Sequence, residues 1–544
     1  MAHPKIPVLL LHPPVAKPCE PPAGIARIAG ALRHYDIPCT TVDMNLEALL
    51  NLIGGSVISA DRWTQRATRS LSKNLDRIRK ASTYRNFDRY QRAVADVNRV
   101  LEMSVPSYDV QLSLANYQDR RLSPVRSSDL LQAAENPREN PFFPYFQARL
   151  VDLMETGKPA LVGLSLNTLS QALTTFAIVG FLRRQFPEVA VVLGGGLITS
   201  WMRRPGWTNP FLGLVDHLVA GPGESAVLTL AGANARILTP LMPDYDFVSA
   251  ISHPETPSPE DASQIRVTNT PAHHSSLITH HCNYLAPGFI LPYSSASGCY
   301  WNQCAFCPER AEGNPYVPIP VEQVVNELDI LVRRTKPVLL HVLDNAIRPE
   351  LLRALSENPP GAPWYGFARV TPHLADMDFC IALAHSGCTM LQLGIESGDQ
   401  GVLDSEHKGI DLGVVSLALK NLKKAGIATY VYLLFGTPSE TLQEARKTLA
   451  FTVRHAEEIG FLNLAIFNLP IYGHEAQELE TRMHYDGDLS LYADFHHPRA
   501  WNRAMVRQFL DKEFKRHPAI ASIIRRDPPI FTSNHAPFFA HLGR

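Results

Sequence analysis

Two series of short apolar runs that alternate with helix-length stretches most restrict the fold of this 544-residue chain. The first series contains runs at 8–11, 39–42, 160–164, 189–193 and 215–220. The second contains runs at 338–343, 364–368, 390–395, 429–434 and 462–467. Strands that alternate with helices predict parallel sheets covered by helices. The sequence therefore predicts an α/β protein made of two such units.

The first unit is predicted to be a doubly wound domain, flavodoxin-like or Rossmann-like, over residues 1–235. Residues 51–150 interrupt its alternation with sequence rich in Arg, Ser, Asn and Gln, which indicates a mainly helical insertion. Ligands of doubly wound sheets bind beyond the carboxyl ends of the strands. Glycine, which lets the backbone approach a ligand closely, follows two of these predicted strands, at 194–196 and at 221 and 223.

The second unit is predicted to be a partial, TIM-like (β/α)6 barrel over residues 290–475, because about six strand–helix units follow one another. Residues 236–289 are rich in Pro, Ser, Thr and His and are predicted to be a linker. Residues 476–544 are predicted to be a C-terminal extension. Its segment 531–539 is expected to fold back as a packing segment rather than to reach a substrate.

Charge and hydropathy favour a soluble protein without nucleic-acid or membrane partners. Lys and Arg number 51 and Asp and Glu number 52, so the formal net charge is -1 and gives no electrostatic reason to expect nucleic acid. No apolar run approaches the ~18 residues that a membrane span needs. The N-terminus lacks the features of a signal peptide. The expected location is therefore cytoplasmic, with reduced cysteines.

Three of the eight cysteines, Cys299, Cys304 and Cys307, form a C-x4-C-x2-C cluster. Thiolates at such spacing favour zinc or an iron–sulfur centre. One interpretation is a zinc staple whose fourth ligand comes from residues 280–282, which are His, His and Cys. The other is a [4Fe–4S] cluster with three protein ligands and one open iron. The spacing of the cysteines alone favours neither the zinc staple nor the [4Fe–4S] cluster. The barrel-like series of strands and helices directly downstream favours the [4Fe–4S] cluster.

Because the cysteine cluster is followed by this series of strands and helices, residues 290–470 resemble the radical SAM superfamily. The resemblance implies that the open iron binds S-adenosylmethionine (SAM), whose reductive cleavage gives methionine and a 5′-deoxyadenosyl radical. Phe306 fits the aromatic position before the last cysteine. The four residues between Cys299 and Cys304 depart from the usual C-x3-C-x2-C spacing, which puts the loop conformation in doubt more than the ligands.

Further motifs at predicted strand ends match the same superfamily. Residues 343–345 follow the second-strand pattern, Arg369 follows the third strand, 393–398 match the fourth-strand motif and 434–441 match the fifth-strand G-x-P-x-E-T motif. The resemblance implies a set of SAM-binding residues: Phe306, Asp344, Asn345, Arg369, Glu396, Ser397, Gly436 and Pro438.

Residues 1–235 resemble the cobalamin-binding domain that precedes many radical SAM cores. The resemblance implies a set of cobalamin-binding residues: Pro13, Pro14, Asp43, Asn45, Ser165, Leu166, Asn167, Gly194, Gly195, Gly196, Gly221, Gly223 and Glu224. Residues 43–48 lack the histidine and glycine of the D-x-H-x-x-G motif, so imidazole cannot ligate cobalt there. The alternative is a degenerate domain that binds nothing and packs on the barrel.

Together the resemblances imply a cobalamin-dependent radical SAM enzyme, with methyl transfer to an unactivated carbon as the expected reaction. It would use a 5′-deoxyadenosyl radical and methylcobalamin, a small-molecule substrate and an electron donor such as flavodoxin or ferredoxin. One alternative is a radical cyclase or rearrangement enzyme that transfers no methyl group. Another is a zinc-stapled, non-catalytic corrinoid-binding or scaffold protein. No catalytic residue is assigned, although Tyr430, Tyr432 and Asn468 are candidates to face the substrate.

Overall fold

The computed structural model describes residues 5–55, 61–233, 237, 239–251, 283–473, 475–483, 487–528 and 535–540. The proposed zinc ligands at 280–282 therefore lie outside the described residues, as does most of the predicted linker. The first unit starts with strand, helix, strand and helix: β1 (Val8–Leu11), α1 (Ala23–His34), β2 (Cys39–Val42) and α2 (Met44–Gly54).

The predicted insertion contains five helices and one antiparallel hairpin. These are α3 (Arg62–Arg69), α4 (Leu71–Ile78), α5 (Phe87–Met103), β3 (Val110–Ser113), β4 (Asn116–Asp119), α6 (Ser127–Glu135) and α7 (Phe143–Gly157). The hairpin was not expected from the sequence. The buried face of the insertion shares one hydrophobic core with α2 and the first sheet.

The chain then returns to the first sheet through β5 (Leu161–Ser165), α8 (Leu169–Gln185), β6 (Ala190–Gly194), α9 (Gly196–Arg203), β7 (His217–Leu218) and α10 (Glu224–Leu230). All pairings are parallel, in the order β2-β1-β5-β6-β7. Residues 171–182 of α8 are buried all round, as expected for a helix enclosed by other elements. The doubly wound fold is confirmed.

The second unit is a six-stranded parallel sheet with the order β15-β14-β13-β12-β11-β8. Its elements are β8 (Ile290–Tyr293), β9 (Ala296–Ser297), α11 (Pro308–Ala311), β10 (Val317–Pro318), α12 (Val321–Thr335), β11 (Leu339–Ile347), α13 (Pro349–Glu357), β12 (Trp364–Ala368), α14 (Met377–His385), β13 (Cys388–Glu396), α15 (Gln400–Ser405), α16 (Leu412–Ala425), β14 (Ala428–Phe435), α17 (Leu442–Arg454) and β15 (Phe461–Ile466). The partial barrel is confirmed.

The remaining elements are β16 (Leu469–Pro470), α18 (Glu475–Glu478), β17 (Thr481–Met483), β18 (Tyr492–Phe495), α19 (Arg503–Phe509) and α20 (Pro518–Ile524). Strands β16, β18 and β17 form a small antiparallel sheet. In residues 535–540, Ala536 and Ala540 pack with the first residues of barrel strands, such as Ile290 and Leu339. This part of the tail therefore packs at the end of the barrel opposite to the cysteine loop, whereas 531–534 lie outside the described residues.

Arg27 on α1 connects the two units. Its guanidinium donates hydrogen bonds of 2.6 Å to the carbonyl of Ser294, just after β8, and of 2.8 Å to the carbonyl of Leu241. It also lies 5.2 Å from the ring centroid of Tyr293 and 3.7 Å from a carboxylate oxygen of Glu327. None of the helices in the described ranges is long and apolar enough to cross a membrane.

Candidate functional site

The three cysteines lie on a loop that follows β8 at the carboxyl edge of the barrel sheet, the edge where such folds bind ligands. The antiparallel pair β9–β10 forms the base of this loop. Gly298 has a φ of +75°, and a Cβ at this position would lie 2.5 Å from the carbonyl oxygen of Pro315. The turn into the cysteines therefore requires glycine.

Burial sets the protonation of the cysteine thiols. Cys304 is buried, and Cys299 and Cys307 are half-buried. Burial raises the pKa of Cys307 to about 11 even though backbone N–H groups at the start of α11 lower it. Burial also raises the pKa of Cys304, against the lowering effect of the Lys408 charge. Thiolate-binding metals displace such protons.

The three thiols are close to one another in sequence, on the cysteine loop. Within the residues that the structure describes, no group of three or more His, Cys, Asp or Glu side chains has the geometry of a metal site. Cys299, Cys304 and Cys307 thus share one loop, and the neighbouring cysteines contribute to the raised pKa of Cys304 and of Cys307, but the three thiols do not converge on one point. Their role as metal ligands stays a prediction.

Trp301 anchors the cysteine loop to the loop after α15. Its indole N–H donates to the carbonyl of His407 at 3.0 Å, and the guanidinium carbon of Arg369 lies 4.0 Å from its ring centroid. Arg369 also donates to the carbonyl of Lys408 at 2.6 Å. Arg369 was predicted to bind the SAM carboxylate, and in this structure it supports the cysteine loop.

Glu396 and Lys408 form an ion pair at the top of the barrel, with 2.8 Å between Nζ and Oε1. Glu396 has a φ of +67°, which is uncommon for a residue other than glycine. The Lys408 ammonium also lies 5.5 Å from the ring centroid of Phe306. Sequence reasoning missed Lys408, which is twelve residues beyond Glu396 and belongs to no recognised motif.

Two of the predicted SAM-binding residues form hydrogen bonds with other residues of the chain. Asp344 is buried and accepts hydrogen bonds from the backbone N–H of Ser295, at 2.7 Å, and from its hydroxyl. Ser397 is fully buried, and its hydroxyl pairs with that of Thr448 on α17 at 3.1 Å. By contrast, the neighbouring Asn345 is exposed and donates to the carbonyl of Gly298 at 3.3 Å. Asp344 and Ser397 therefore position loops, and Asn345 lies at the cysteine loop.

The fifth-strand motif encloses a buried carboxyl group. Gly436, with a φ of +81°, ends β14 and donates its N–H to Glu440, which also accepts from the Trp501 indole at 2.9 Å. Glu440 is fully buried and its second oxygen has no partner. Burial raises the pKa of Glu440 to about 7 although these two hydrogen bonds lower it. Pro438, between them, is partly exposed.

A cavity of about 760 Å³ lies between the carboxyl edge of the first sheet and the cysteine loop. Eight of the predicted cobalamin-binding residues line it: Ser165, Asn167, Gly194, Gly195, Gly196, Gly221, Gly223 and Glu224. The opposite wall includes residues 297 and 298 at the start of the cysteine loop, residues 308 and 309 at its end, and Asn345. The cavity thus joins the two sets of strand ends.

The glycine loops of the cavity are held by side chains of the same unit. Asn167 accepts the N–H of Gly196 at 3.0 Å, and Thr199 accepts the N–H of Gly221 at 2.9 Å. Gly195 has a φ of +106°, and a Cβ there would lie 2.5 Å from the carbonyl oxygen of Leu166. The sequence analysis missed Arg27, Thr199 and Arg203 among the lining residues.

The other predicted cobalamin residues lie outside the cavity lining. Asp43 accepts from the N–H of Leu46 at 3.0 Å, which caps α2, and from the hydroxyl of Tyr284 at 2.7 Å. Asn45 accepts the N–H of Ala16, and the carbonyl of Pro13 accepts from a side chain of α8. Pro14 and Leu166 are not among the lining residues either. These residues support the loops behind the cavity.

Comparison with family models gives one match within the barrel. Residues 293–452 match the radical SAM superfamily. The matched span begins at the last residue of β8, includes the whole cysteine loop and ends within α17.

Two solved structures share the architecture. One is the radical SAM methyltransferase TsrM from Kitasatospora setae with cobalamin and a [4Fe–4S] cluster bound: 15% identity, TM-score 0.50, covering 87% of this chain and 74% of that one. The other is the cobalamin-dependent S-adenosylmethionine radical enzyme OxsB with aqua-cobalamin bound: 12% identity, TM-score 0.54, covering 94% of this chain and 67% of that one. At these identities the similarity concerns the fold.

Curated relatives match over shorter stretches. An uncharacterized methyltransferase from Pyrococcus horikoshii is 27% identical over 164 residues, which are 29% of this chain and 35% of that protein. An uncharacterized protein from Methanopyrus kandleri is 26% identical over 183 residues, 30% of this chain and 35% of that protein. The chain thus aligns with about a third of the length of these relatives.

The buried carboxyl of Glu440 predicts a dependence of stability on pH. Its pKa is raised from 4.5 in the folded state, so the folded protein binds more protons than the unfolded chain between pH 4.5 and about 7. The free energy of unfolding should therefore fall as the pH rises through this window, by at most about 3 kcal/mol. Glu440→Gln keeps an acceptor for Gly436 and Trp501 and should remove this fall, measured as the thermal midpoint against pH.

Glu444→Gln, on the helix that begins two residues after Glu440, is the matched control. A hydrogen bond from Thr441 lowers the pKa of Glu444, so the stability that this carboxylate adds is present above pH 4.5 and is lost as the pH falls. This variant should therefore keep the wild-type profile between pH 4.5 and 7. A Glu440→Gln profile parallel to that of the wild type would refute the assignment.

Proposed function

We propose, from the match of residues 293–452 to the radical SAM superfamily, that this chain is a cobalamin-dependent methyltransferase acting on an unactivated carbon of a small-molecule substrate. The observation that carries the proposal is the cavity between the two sheets, because glycine-rich strand ends face the cysteine loop across it. A methyl carrier bound in the cavity would lie next to a radical generated at the cysteine loop.

The donor set of the cysteine loop fits a [4Fe–4S] cluster. Such a cluster with one open iron supplies the reductive cleavage of SAM, and cobalamin supplies a methyl carrier. Cys299, Cys304 and Cys307 are the proposed ligands. Backbone N–H groups at the start of α11 lower the pKa of Cys307, an effect that favours its thiolate form. Trp301 and Arg369 are proposed to hold the loop in position.

Two side chains at the top of the barrel are proposed to bind SAM. The carboxylate of Glu396 is partly exposed and is held by Lys408, so it is suited to accept hydrogen bonds from the cationic amino group. The exposed amide of Asn345 lies beside the turn into the cysteines and is suited to a second polar contact. Phe306, Gly436 and Pro438 are proposed to contact the apolar parts of the same molecule.

The glycine-lined wall fits cobalamin. A Cβ at Gly196 would have no atom of the chain nearer than 3.9 Å, so the fold tolerates a side chain at this lining position. The described lining residues include no His, Cys or Met. No side chain of the lining is therefore proposed to bind cobalt through an imidazole. Arg203 is proposed to supply hydrogen-bond donors for the polar periphery of the corrinoid. An external flavodoxin or ferredoxin is proposed as the electron source.

Cys304→Ala should abolish iron binding. After anaerobic reconstitution we expect about four irons per wild-type chain and loss of nearly all of them in the variant, because three thiolates hold the cluster. Cys388→Ala is the matched control, since Cys388 is buried on β13 and packs with the helix side of the sheet. Metal analysis and the absorption spectrum provide the readout. Stoichiometric zinc without iron would contradict the proposal and favour a zinc-stapled scaffold.

Gly196→Val should weaken cobalamin binding at least about tenfold without unfolding the protein, since the new side chain enters the cavity rather than its own chain. Gly54→Val is the control, because a Cβ at Gly54 also meets nothing within 4 Å but Gly54 lies outside the cavity lining. Titration with hydroxocobalamin, followed by absorption after desalting, measures the affinity. Unchanged affinity in Gly196→Val would exclude this cavity as the corrinoid site.

Methyl transfer can be tested before the substrate is known. Reconstituted enzyme given methyl-labelled SAM and a reductant should place label on the bound corrinoid, because the proposed reaction uses SAM as the methyl source. The Gly196→Val variant should label in proportion to its residual corrinoid. Formation of 5′-deoxyadenosine with no label on the corrinoid would instead indicate a radical cyclisation or rearrangement.

A further inference from the structure

The barrel has an open interior above a closed base. On β13, β14 and β15 three of the residues that face away from the covering helices, Gly394, Tyr432 and Asn463, are partly exposed, whereas the outward neighbours Leu393 and Val431 are buried. Below them, the first residues of the strands pack with residues 536 and 540 of the tail. We call the space enclosed by these inward residues the lumen.

His341 lies in the lumen and is held by a carboxylate from the other unit. Its Nδ1 is 2.9 and 3.0 Å from the two carboxylate oxygens of Glu20, and its ring stacks on Tyr365 with 4.3 Å between centroids and 9° between planes. A carboxylate only accepts hydrogen bonds, so Nδ1 carries a proton, and in the corresponding neutral tautomer Nε2 is an acceptor.

Gln392 presents a second acceptor in the lumen. Its side-chain nitrogen donates to the Tyr432 hydroxyl at 3.1 Å, and its carbonyl oxygen is buried without a partner. Tyr432 in turn hydrogen-bonds to Tyr430, which also bonds to Asn463. Since the nitrogen of the Gln392 amide is the atom bonded to Tyr432, the amide oxygen is the free end. A buried unpartnered acceptor costs free energy unless something donates to it.

The cavity between the two sheets borders the upper end of the lumen. Leu343 and Asn345 line that cavity, and they follow His341 on the same face of β11. At about 3.3 Å per residue, His341 lies roughly 7 Å below Leu343. The rings of Phe367 and Tyr432, 4.9 Å apart, form part of the apolar wall around the acceptors.

We propose that His341 and Gln392 form the recognition floor for a planar aromatic substrate that carries a ring N–H or O–H donor. This inference rests on the proposed function, because it assumes that the lumen holds the substrate. Two acceptors within aromatic walls select such a donor and disfavour a carboxylate or phosphate. Glu20 is a positioning residue that fixes which imidazole nitrogen faces the substrate.

The test compares two probes, 2-naphthol and 2-methoxynaphthalene, which differ in one O–H donor. Reconstituted enzyme should bind 2-naphthol about tenfold more tightly, as expected for one hydrogen bond to an otherwise unpartnered acceptor. Gln392→Leu should reduce this preference towards one, and His341→Phe, which retains the stacking ring, should lower it as well. Gln392→Glu keeps an acceptor and should retain the preference. Probe fluorescence measures each affinity.

Gln111→Leu on the exposed strand β3 is the control and should bind both probes as the wild type does. Equal affinities in the wild type, or a preference that Gln392→Leu leaves unchanged, would overturn the inference. Iron and corrinoid contents of the same preparations separate the two proposals. Normal contents without a preference would refute only the recognition floor, whereas a preference without cofactors would refute only the proposed function.

Discussion

The bridge made by Arg27 sets the distance between the two candidate cofactor sites. Arg27 belongs to the helix that lines one side of the cavity, and it donates to the carbonyl of Ser294, five residues before Cys299. A hydrogen bond from a charged donor is worth about 1.5–3 kcal/mol. The bond thereby couples the glycine-lined wall to the cysteine loop. A shift of one unit would therefore change the distance between the cavity and the loop, on which the proposed methyl transfer depends.

The cysteine loop is held from the side away from its thiols. The indole of Trp301 and the guanidinium of Arg369 contact backbone carbonyls of residues 407 and 408, and these contacts involve no thiol. These contacts hold the backbone of the loop without using the cysteine side chains. Such support reduces the entropy lost on binding, and it accommodates the extra residue between Cys299 and Cys304.

The sequence predicted the fold closely, because buried strands of a parallel sheet are continuous apolar runs. The strand expected at 364–368 and the helix expected at 169–185 have those bounds in the structure. The strand expected at 338–343 runs from Leu339 to Ile347, because Ile347 pairs again with Ala368 of β12 after an irregularity in the register. The β3–β4 hairpin was missed because its four-residue strands carry little apolar signal.

The candidate site was less predictable, since motif spacing does not reveal long-range partners. Asp344 and Ser397 sit at the strand ends that the motifs indicated, yet Ser295 and Thr448 occupy their polar groups. Lys408 and the Glu20–His341 pair depend on contacts across 12 and 321 residues of sequence, which no local pattern contains. Strand-end position was therefore predictable, but the direction of each side chain was not.

Two partly buried polar pairs, the ion pair Glu396–Lys408 and the hydrogen-bonded pair Glu20–His341, are poorly explained by stability alone. Removing ions from water costs several kcal/mol each, and well-packed apolar residues often replace such pairs without loss. Glu396–Lys408 and Glu20–His341 both lie on the ligand side of the sheet, whereas its helix side is filled by apolar residues such as Leu391 and Leu393. Their position indicates that each pair orients a polar group toward a ligand. In the proposed arrangement Glu396 accepts from a cationic group near the cysteine loop, and His341 accepts from a substrate donor below it. The proposal thus separates recognition of a cation near the loop from recognition of a hydrogen-bond donor near the base.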